Sequence, residues 1–329
     1  MVSNEYRFFH IVLHFFLGEN TKDVVRDICR MGLGLHVILS ADKFPPWVIN
    51  DQNMMSYHWM EEEYDINCVN QSQGISPSMG SDFSMQLVQS FFSRTVEHLQ
   101  DQLGQCVLSY IPTINKRFES RFPHSFECMR DYNSGMLQNF ISWQQMKKMD
   151  TILHPPKYES NVLKNSDNSE NLKRWIEFRN DRLSEIHIEF CKTIVDSGGD
   201  RCGLRIGEFF PTLDMLHGSA LLTMGNSQYV SDLIVSTDLS LVGGESSPSI
   251  VGLLVDTVRD FGKVIHYEVA SDSFVNCNTN GTIIDGNIDK LAGVKTFFSQ
   301  AIQRGLDLGI SSLGFSNLYS PSCMTHLLL

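Results

Sequence analysis

Short apolar runs alternate with stretches of helical periodicity along most of the chain. Seven runs of apolar, β-branched and aromatic residues predict strands, at residues 8–16, 32–40, 106–111, 202–210, 231–236, 263–268 and 309–315. Apolar residues that recur every three or four positions predict helices between them, at residues 21–31, 84–103, 134–149, 172–195, 250–261 and 288–305. Strands that are apolar throughout and alternate with helices are typical of right-handed βαβ units and a parallel sheet.

This alternation predicts an α/β fold, a (β/α)8 barrel of the TIM type, as a single domain over residues 1–329. Seven strands are one fewer than a closed barrel needs, so we expect the first strand to be missing from an N-terminally truncated sequence. The predicted strands then occupy the second to eighth positions of the barrel. Polar composition predicts a long loop at about residues 50–80, crossing the barrel mouth, and a surface loop at residues 154–171.

Composition and charge narrow the class of ligand. The chain has 329 residues and 42% apolar content, enough to bury a full core. Its formal net charge is -12 and its basic residues are scattered, which argues against a nucleic-acid surface and against a basic membrane patch. No run of 18 apolar residues predicts a membrane span. We therefore expect an uncharged ligand, with neither nucleic acid nor membrane as a partner.

Cysteine and histidine spacing does not indicate a metal site. The eight cysteines include no CxxC pair and no spacing typical of zinc ligands, so we expect most of them to be small core residues rather than a disulfide ladder. His36 and His266 alternate with apolar residues on predicted strands. They are expected to be core histidines whose ring nitrogens are satisfied, and an inward-facing one could hold a carboxylate.

Glu268 closes the run at residues 263–268 and is the first candidate for chemistry. Catalytic groups of barrel enzymes lie at the carboxyl ends of the strands, although a solvated strand-edge residue would fit the pattern equally well. Acetal hydrolysis needs two carboxylates that face one substrate. The other carboxylates at predicted strand ends are Glu119, Glu208, Asp214, Asp238, Glu245 and Asp272, the last of these at the same strand as Glu268. Because aromatic residues accompany them, among them Trp47, Tyr110, Phe122, Tyr132 and Tyr267, a neutral sugar is the expected ligand.

An ordered set of short motifs resembles clan A glycoside hydrolases, most closely the family 35 and family 42 β-galactosidase-like enzymes. The motifs are Asp-Lys-Phe-Pro-Pro-Trp-Val at residues 42–48, Asp131-Tyr132 before a helix with Phe140 and Trp143, Glu208, Glu268, and Ser316-Asn317. The resemblance spans most of the chain. It implies a β-galactoside as the first substrate to test, and a reaction that needs neither a metal nor an organic cofactor.

The resemblance also implies a retaining mechanism and assigns its two carboxylates. Glu268 takes the position of the nucleophile at the seventh barrel strand. The acid/base glutamate of the clan follows the fourth strand, usually directly after an asparagine. Here Asn115 is followed by Lys116, and Glu119 is the nearest carboxylate, so we expect Glu119 to serve if its loop bulges.

Each further candidate has a structural alternative. Glu119 could pair with a neighbouring arginine, Asp131 could cap the helix that follows it, and Glu208 could pair with Arg205. Trp47 could be a stacking platform for a sugar or a packed lid residue, and an asparagine that ends a strand, such as the one at position 317, is also a common turn residue. The residues expected to contact substrate are Trp47, Asn115, Asp131, Tyr132, Glu208, Tyr267 and Asn317.

A second function is compatible with the same residues. A barrel with the aromatic mouth but without a working acid would bind carbohydrate without turnover, and the Asn115-Lys116 pair favours that alternative. The two functions differ in whether the carboxyl groups of Glu119 and Glu268 face each other across a pocket. Unrelated chemistry on the same fold is disfavoured, because no glycine-rich phosphate loop follows the last two strands.

Overall fold

All seven predicted strands are present in the structure, a computed structural model of the chain. It describes residues 10–13, 25–27, 29–32, 34–41, 46–49, 54–55, 76–114, 120, 122, 131–153, 155, 166–206, 221–238, 259–270 and 312–316. The strands are β1 His10–Leu13, β2 Gly34–Ser40, β3 Val107–Thr113, β4 Gly203–Ile206, β5 Asp232–Asp238, β6 Val264–Ala270 and β7 Ser312–Ser316. The helices are α1 Pro46–Ile49, α2 Asp82–Leu103, α3 Ser134–Met146, α4 Ser166–Asp196 and α5 Leu221–Gly225.

The strands form two parallel sheets that meet edge to edge. One sheet has the order β1-β2-β3 and the other β4-β5-β6-β7, and every ladder is parallel, which confirms the predicted α/β class. A single parallel bridge between Tyr110 and Cys202 joins β3 to β4, and the Tyr110 N–H donates to the Arg201 carbonyl at 3.0 Å. The outer strands β1 and β7 approach within 8 Å between Cα atoms. Because no ladder among the described residues pairs these two strands, the closed eight-stranded barrel and its missing first strand stay predictions.

The registers align the carboxyl ends of neighbouring strands. Ser40 at the end of β2 is paired with Thr113 at the end of β3. In the second sheet Asp238, Ala270 and Ser316 are partners across β5, β6 and β7. The segments that leave these strands therefore start from a common edge, the edge at which the sequence places its candidate site.

Two long helices cover the strands and supply much of the core. Helix α2 begins after Ser81, whose side chain accepts a hydrogen bond from the Ser84 N–H, and ends at Gly104, which has a φ of 51°. On α2 and α4, buried residues recur at helical spacing, and Phe92 of α2 packs edge to face on Phe190 of α4 with ring centroids 5.1 Å apart. In the part of the chain described here, no helix is both long enough and apolar enough to span a bilayer.

Several predicted boundaries change in the structure. Helix α4 begins at Ser166, so residues 166–171 of the predicted surface loop are helical. Serine, aspartate, asparagine and glutamate are residue types that suit a first helical turn, so the polar composition of residues 166–171 is also compatible with a helix start. Helix α3 ends at Met146, three residues earlier than predicted. The predicted helix at residues 288–305 and most of the one at residues 250–261 lie outside the described residues.

The two ends of the predicted loop at residues 50–80 meet each other. Met55 forms an antiparallel bridge with Pro77, and the Ser78 N–H donates to the Met54 carbonyl at 2.8 Å. The Ser84 hydroxyl of α2 donates to the same carbonyl at 2.7 Å. These bonds fasten both ends of the loop to the start of α2.

The expectation of no disulfide framework is wrong for the four cysteines that the structure describes, whereas Cys191 and Cys202 are core residues as predicted. Cys29 is bonded to Cys106 and Cys191 to Cys202, and the second pair is fully buried. Each disulfide joins a helical residue to the residue directly before a strand, β3 or β4. Spacing along the sequence did not reveal the pairs because the partners are brought together by helix packing at the amino ends of the strands.

Removing either disulfide should destabilise the fold, and the longer loop should cost more. In the chain-entropy model the loop closed by Cys29 and Cys106, 77 residues apart, contributes about 4.5 kcal/mol. The loop closed by Cys191 and Cys202, 11 residues apart, contributes about 3 kcal/mol. Urea unfolding of the two double alanine variants, without reductant, measures both losses. A larger loss for the 11-residue loop would show that buried packing of its sulfur atoms outweighs chain entropy.

Candidate active site

Glu268 and Tyr267 lie in β6, close to its carboxyl end. Glu268 is the partner of Ser236 on β5 and of Gly314 on β7, and the strand continues for two residues to Ala270. Glu268 is thus in a central strand of the four-stranded parallel sheet, flanked on both sides, rather than at an edge of the sheet. Strand β6 thus extends two residues further than predicted.

Trp47 lies on α1, the short helix that follows β2. Its side chain is 57% exposed, whereas the adjacent Val48 is fully buried. The alternative of a packed lid residue therefore does not describe this indole. An exposed indole beyond the carboxyl end of a strand offers a flat apolar face to a ligand.

Four predicted site residues lie outside the described residues: Asn115, Glu119, Glu208 and Asn317. The chain on both sides of residues 115–119 is nevertheless well anchored. Ile114 is buried at the end of β3, and Ser120 bonds to the backbone of β4. The Ser120 N–H donates to the Arg205 carbonyl at 2.7 Å, and the Arg205 N–H donates to the Ser120 hydroxyl at 3.1 Å. The residues that flank positions 115–119 are therefore held in place, Ile114 at the end of β3 and Ser120 beside β4.

Asp131 is buried, and its carboxylate fastens the end of the long loop. The Ser78 hydroxyl donates to Oδ1 at 2.6 Å and the Met79 N–H to Oδ2 at 2.7 Å. The predicted role of helix cap belongs to Asn133 instead, whose side chain accepts from the Met136 N–H. The φ of Asp131 is 71°, a left-handed conformation that aspartate and asparagine tolerate better than most residues.

Burial and two arginines determine the charge of this aspartate. Burial raises the pKa of Asp131 to about 6, against the opposing effect of the two hydrogen bonds and of Arg179 and Arg182 on α4. The Arg182 Nε donates to the Met79 carbonyl at 3.1 Å, so the end of the loop at residues 50–80 is also bonded to α4. The neighbouring Tyr132 packs on Trp175 with ring centroids 5.1 Å apart, and burial raises the pKa of its hydroxyl.

A second buried carboxylate, Asp232, opens β5. Arg201 binds it through two hydrogen bonds, Nη2 to Oδ1 at 2.6 Å and Nε to Oδ2 at 2.9 Å. The Ser231 hydroxyl donates to Oδ2 at 2.6 Å. The His266 Nε2 lies 2.7 Å from Oδ1, the distance of a hydrogen bond donated by the imidazole N–H. Four hydrogen bonds thus compensate the burial of this charge.

Two histidines extend this network between the sheets. The rings of His266 on β6 and His36 on β2 are 4.3 Å apart and meet edge to face. The His36 Nδ1 lies 2.7 Å from the Ser109 hydroxyl on β3. Both histidines are buried, which confirms their prediction as core residues, and the His266 ring holds a carboxylate. The chain of contacts connects β2 and β3 to β5 and β6.

Sequence reasoning missed two of the residues that organise the site, and each had a signal. Arg179 stands in the apolar stripe of α4, four residues after the buried Trp175 and four before the buried Leu183. Asp232 is the first residue of an otherwise apolar strand. A charged residue in an apolar register indicates a buried charge with a partner. Within the described residues, no group of three histidine, cysteine, aspartate or glutamate side chains could hold a metal ion.

No protein-family model matches the chain, and no curated protein sequence matches it. Solved structures of glycoside hydrolases are similar to it at low identity. A β-glucosidase is 12% identical over 91% of this chain and 67% of its own, with a TM-score of 0.43. The intracellular xylanase from Thermoanaerobacterium saccharolyticum is 10% identical over 92% and 74%, with a TM-score of 0.42. A fungal β-1,4-galactanase is 11% identical over 93% and 75%, with a TM-score of 0.41. The α/β assignment of this chain therefore rests on its own strand pairing.

The charge of Asp131 should make stability depend on pH. Between pH 4 and pH 6 the folded protein retains a proton that the unfolded chain releases, because burial raises the folded pKa from 3.8 to about 6. The free energy of unfolding of the wild type, measured relative to Asp131→Asn, should therefore fall by roughly 2–3 kcal/mol as pH rises through this range. Asparagine tolerates the positive φ and does not titrate. If the stability of the wild type relative to Asp131→Asn rose with pH instead, the arginines would outweigh burial in their effect on the pKa of Asp131.

Removing the main partner of Asp232 should be costly. Arg201→Met leaves a buried carboxylate with His266 and Ser231 as its described partners; because the Arg201 side chain is 36% exposed, the cost should lie near the lower end of the roughly 3–5 kcal/mol for breaking a buried ion pair. Arg201→Lys keeps the charge without the two-pronged geometry and should lose less. Denaturant unfolding at neutral pH measures both variants. Equal stability of Arg201→Met and the wild type would contradict a structural role for the pair.

Proposed function

We propose that this chain is a retaining O-glycoside hydrolase, with Glu268 as the nucleophile and Glu119 as the general acid/base. The observation that carries the proposal is the position of Glu268 near the carboxyl end of a central parallel strand, at the level of Ser236 and Gly314. Barrel enzymes build their active sites at this edge. The resemblance to clan A glycoside hydrolases assigns the nucleophile to the same strand.

The proposed reaction proceeds in two steps. Glu119 gives a proton to the leaving oxygen while Glu268 attacks the anomeric carbon and forms a covalent glycosyl-enzyme. Glu119 then takes a proton from water, and the water displaces Glu268 with overall retention of configuration. This chemistry requires carboxyl groups about 5–5.5 Å apart. Ser120 supports the assignment, because its two bonds to β4 hold the residue that directly follows Glu119.

A neutral β-glycoside is the proposed substrate, with a β-galactoside as the first to test. The exposed indole of Trp47 suits a platform against one face of a sugar ring. The net charge of -12 gives no attraction for an anionic ligand. The other proposed sugar contacts are Asn115, Tyr132, Glu208, Tyr267 and Asn317, with Asp131 acting from within the protein.

A carbohydrate-binding barrel without turnover is the second candidate. The observation that favours it is Lys116, which stands where the clan usually places its acid/base glutamate after asparagine. Under this alternative Glu119 does not reach the glycosidic oxygen, and proton donation fails. Sugar binding at the same mouth would persist.

Covalent trapping tests the proposed nucleophile. Incubation with a panel of 2,4-dinitrophenyl 2-deoxy-2-fluoro-β-glycosides should add the mass of one fluorosugar. The fluorine slows hydrolysis of the glycosyl-enzyme, whereas the dinitrophenyl leaving group keeps its formation faster than its hydrolysis, so the covalent intermediate accumulates. Intact-protein mass spectrometry measures the adduct, and peptide mapping should place it on Glu268. The reactive sugar of the panel identifies the preferred substrate.

Matched variants make this test specific. Glu268→Gln should abolish labelling, whereas Asp272→Asn, which removes a carboxylate four residues later, should label like the wild type. An adduct on another carboxylate would overturn the assignment of Glu268. Absence of an adduct from folded protein that still binds sugar would favour the binding barrel.

A further inference from the structure

Arg179 on α4 is a buried charge in an apolar stripe. Its side chain is 3% exposed, and burial lowers the pKa of its guanidinium to about 10, so it stays charged at neutral pH. Within the described residues its Nε has no hydrogen-bond partner. Arginine is almost never fully buried unless it is paired, so this position calls for a specific contact.

That contact is with the aromatic ring of Phe122. The Arg179 Cζ lies 4.0 Å from the centre of the ring, and Phe122 is itself buried. A guanidinium over an aromatic face is attracted by the negative charge of the ring face, more strongly when both groups are removed from water. The negative charges nearest Arg179 in the described part of the chain include Asp131, which favours its charged form. Arg179 thus holds Phe122 against α4.

Phe122 belongs to the segment that leaves β3 and carries Glu119. Ser120, one residue after Glu119, is bonded to the backbone of Arg205 on β4. Phe122, three residues after Glu119, is held by Arg179 on α4. Two buried attachments, one to a strand and one to a helix, therefore restrain the chain directly on the C-terminal side of Glu119.

We propose that Arg179 is a positioning residue for general acid catalysis: it holds Phe122, three residues after Glu119, against α4 and thereby restrains the chain next to the proposed acid. The inference rests on the proposed function, since it assigns Arg179 to the acid/base half of that reaction. A displacement of about 1 Å of a reacting group costs on the order of 100-fold in rate, so a small shift of this segment has a measurable consequence.

The planar shape of arginine is part of the proposal. A lysine keeps the charge but lacks the flat guanidinium that covers a ring face, and a methionine keeps an apolar stem without charge. We therefore expect Arg179→Lys to retain part of the effect and Arg179→Met to lose it. Phe122→Leu removes the other partner while keeping an apolar side chain, and provides the second variant if Arg179→Met folds poorly.

The test compares substrates that need an acid with substrates that do not. The dinitrophenolate group of 2,4-dinitrophenyl β-galactoside leaves without protonation, whereas the methoxy group of methyl β-galactoside must be protonated to leave. The sugar that trapping identifies replaces galactose in both substrates. For Arg179→Met and Phe122→Leu, kcat/KM should fall about 30- to 100-fold with the methyl glycoside and less than about 3-fold with the dinitrophenyl glycoside. Labelling of Glu268 by the dinitrophenyl fluorosugar should be unchanged.

Arg174→Met is the matched control, because Arg174 lies on the same helix and pairs with Glu170 at 3.7 Å, away from Phe122. It should leave both substrates unaffected. Equal losses with the two glycosides, or no loss with either, in folded Arg179→Met and Phe122→Leu would overturn this inference alone. Absence of both turnover and label in the wild type would overturn the proposed function, and this inference with it.

Discussion

The strand arrangement depends on the hydrogen bonds of the buried Asp232 carboxylate. It accepts hydrogen bonds from Arg201 before β4, from Ser231 at the start of β5 and from His266 within β6. A buried charge is stable only while its partners stay in place, so this group requires three neighbouring strands to keep one register. The contact of His266 with His36 extends the requirement to the other sheet. Because His266 precedes Glu268 by two residues, the network also fixes the strand that carries the proposed nucleophile.

Different kinds of contact hold the chain at the two ends of the parallel strands. At the amino ends, two disulfides fasten helical residues to Cys106 and Cys202, directly before β3 and β4. Cross-links there stabilise the fold without touching the opposite edge, where barrel enzymes carry out chemistry. At the carboxyl ends, the attachments among the described residues are hydrogen bonds and stacking, as in the junction of Ser78 with Asp131. The rigid amino end thus supports loops that start from aligned strand ends.

In the described part of the chain, two arginines of α4 hold residues near the carboxyl end of the sheet. Arg179 stacks on Phe122, and Arg182 binds the Met79 carbonyl, so one helix restrains both the segment after β3 and the end of the long loop. Asp131 lies between them with a pKa raised to about 6 by burial. Each of these charges is costly to remove from water, and together they specify a single arrangement of the two loops. The residues that follow Glu119 are thus held both by β4, through Ser120, and by α4, through Phe122.

The sequence by itself determined the seven strands, the long helices at residues 84–103, 134–149 and 172–195, and the place of Glu268 near a strand end, because apolar periodicity is a local property of a strand or helix. It also indicated that His36 and His266 belong to the core. Only the tertiary structure decided which distant groups meet: Cys29 with Cys106, Asp131 with Ser78, and Arg179 with Phe122. Nothing local distinguishes these partners, since each pair is separated by more than 50 residues. These pairs form because the packing of helices on the parallel sheet brings each buried charge or thiol next to a compatible partner.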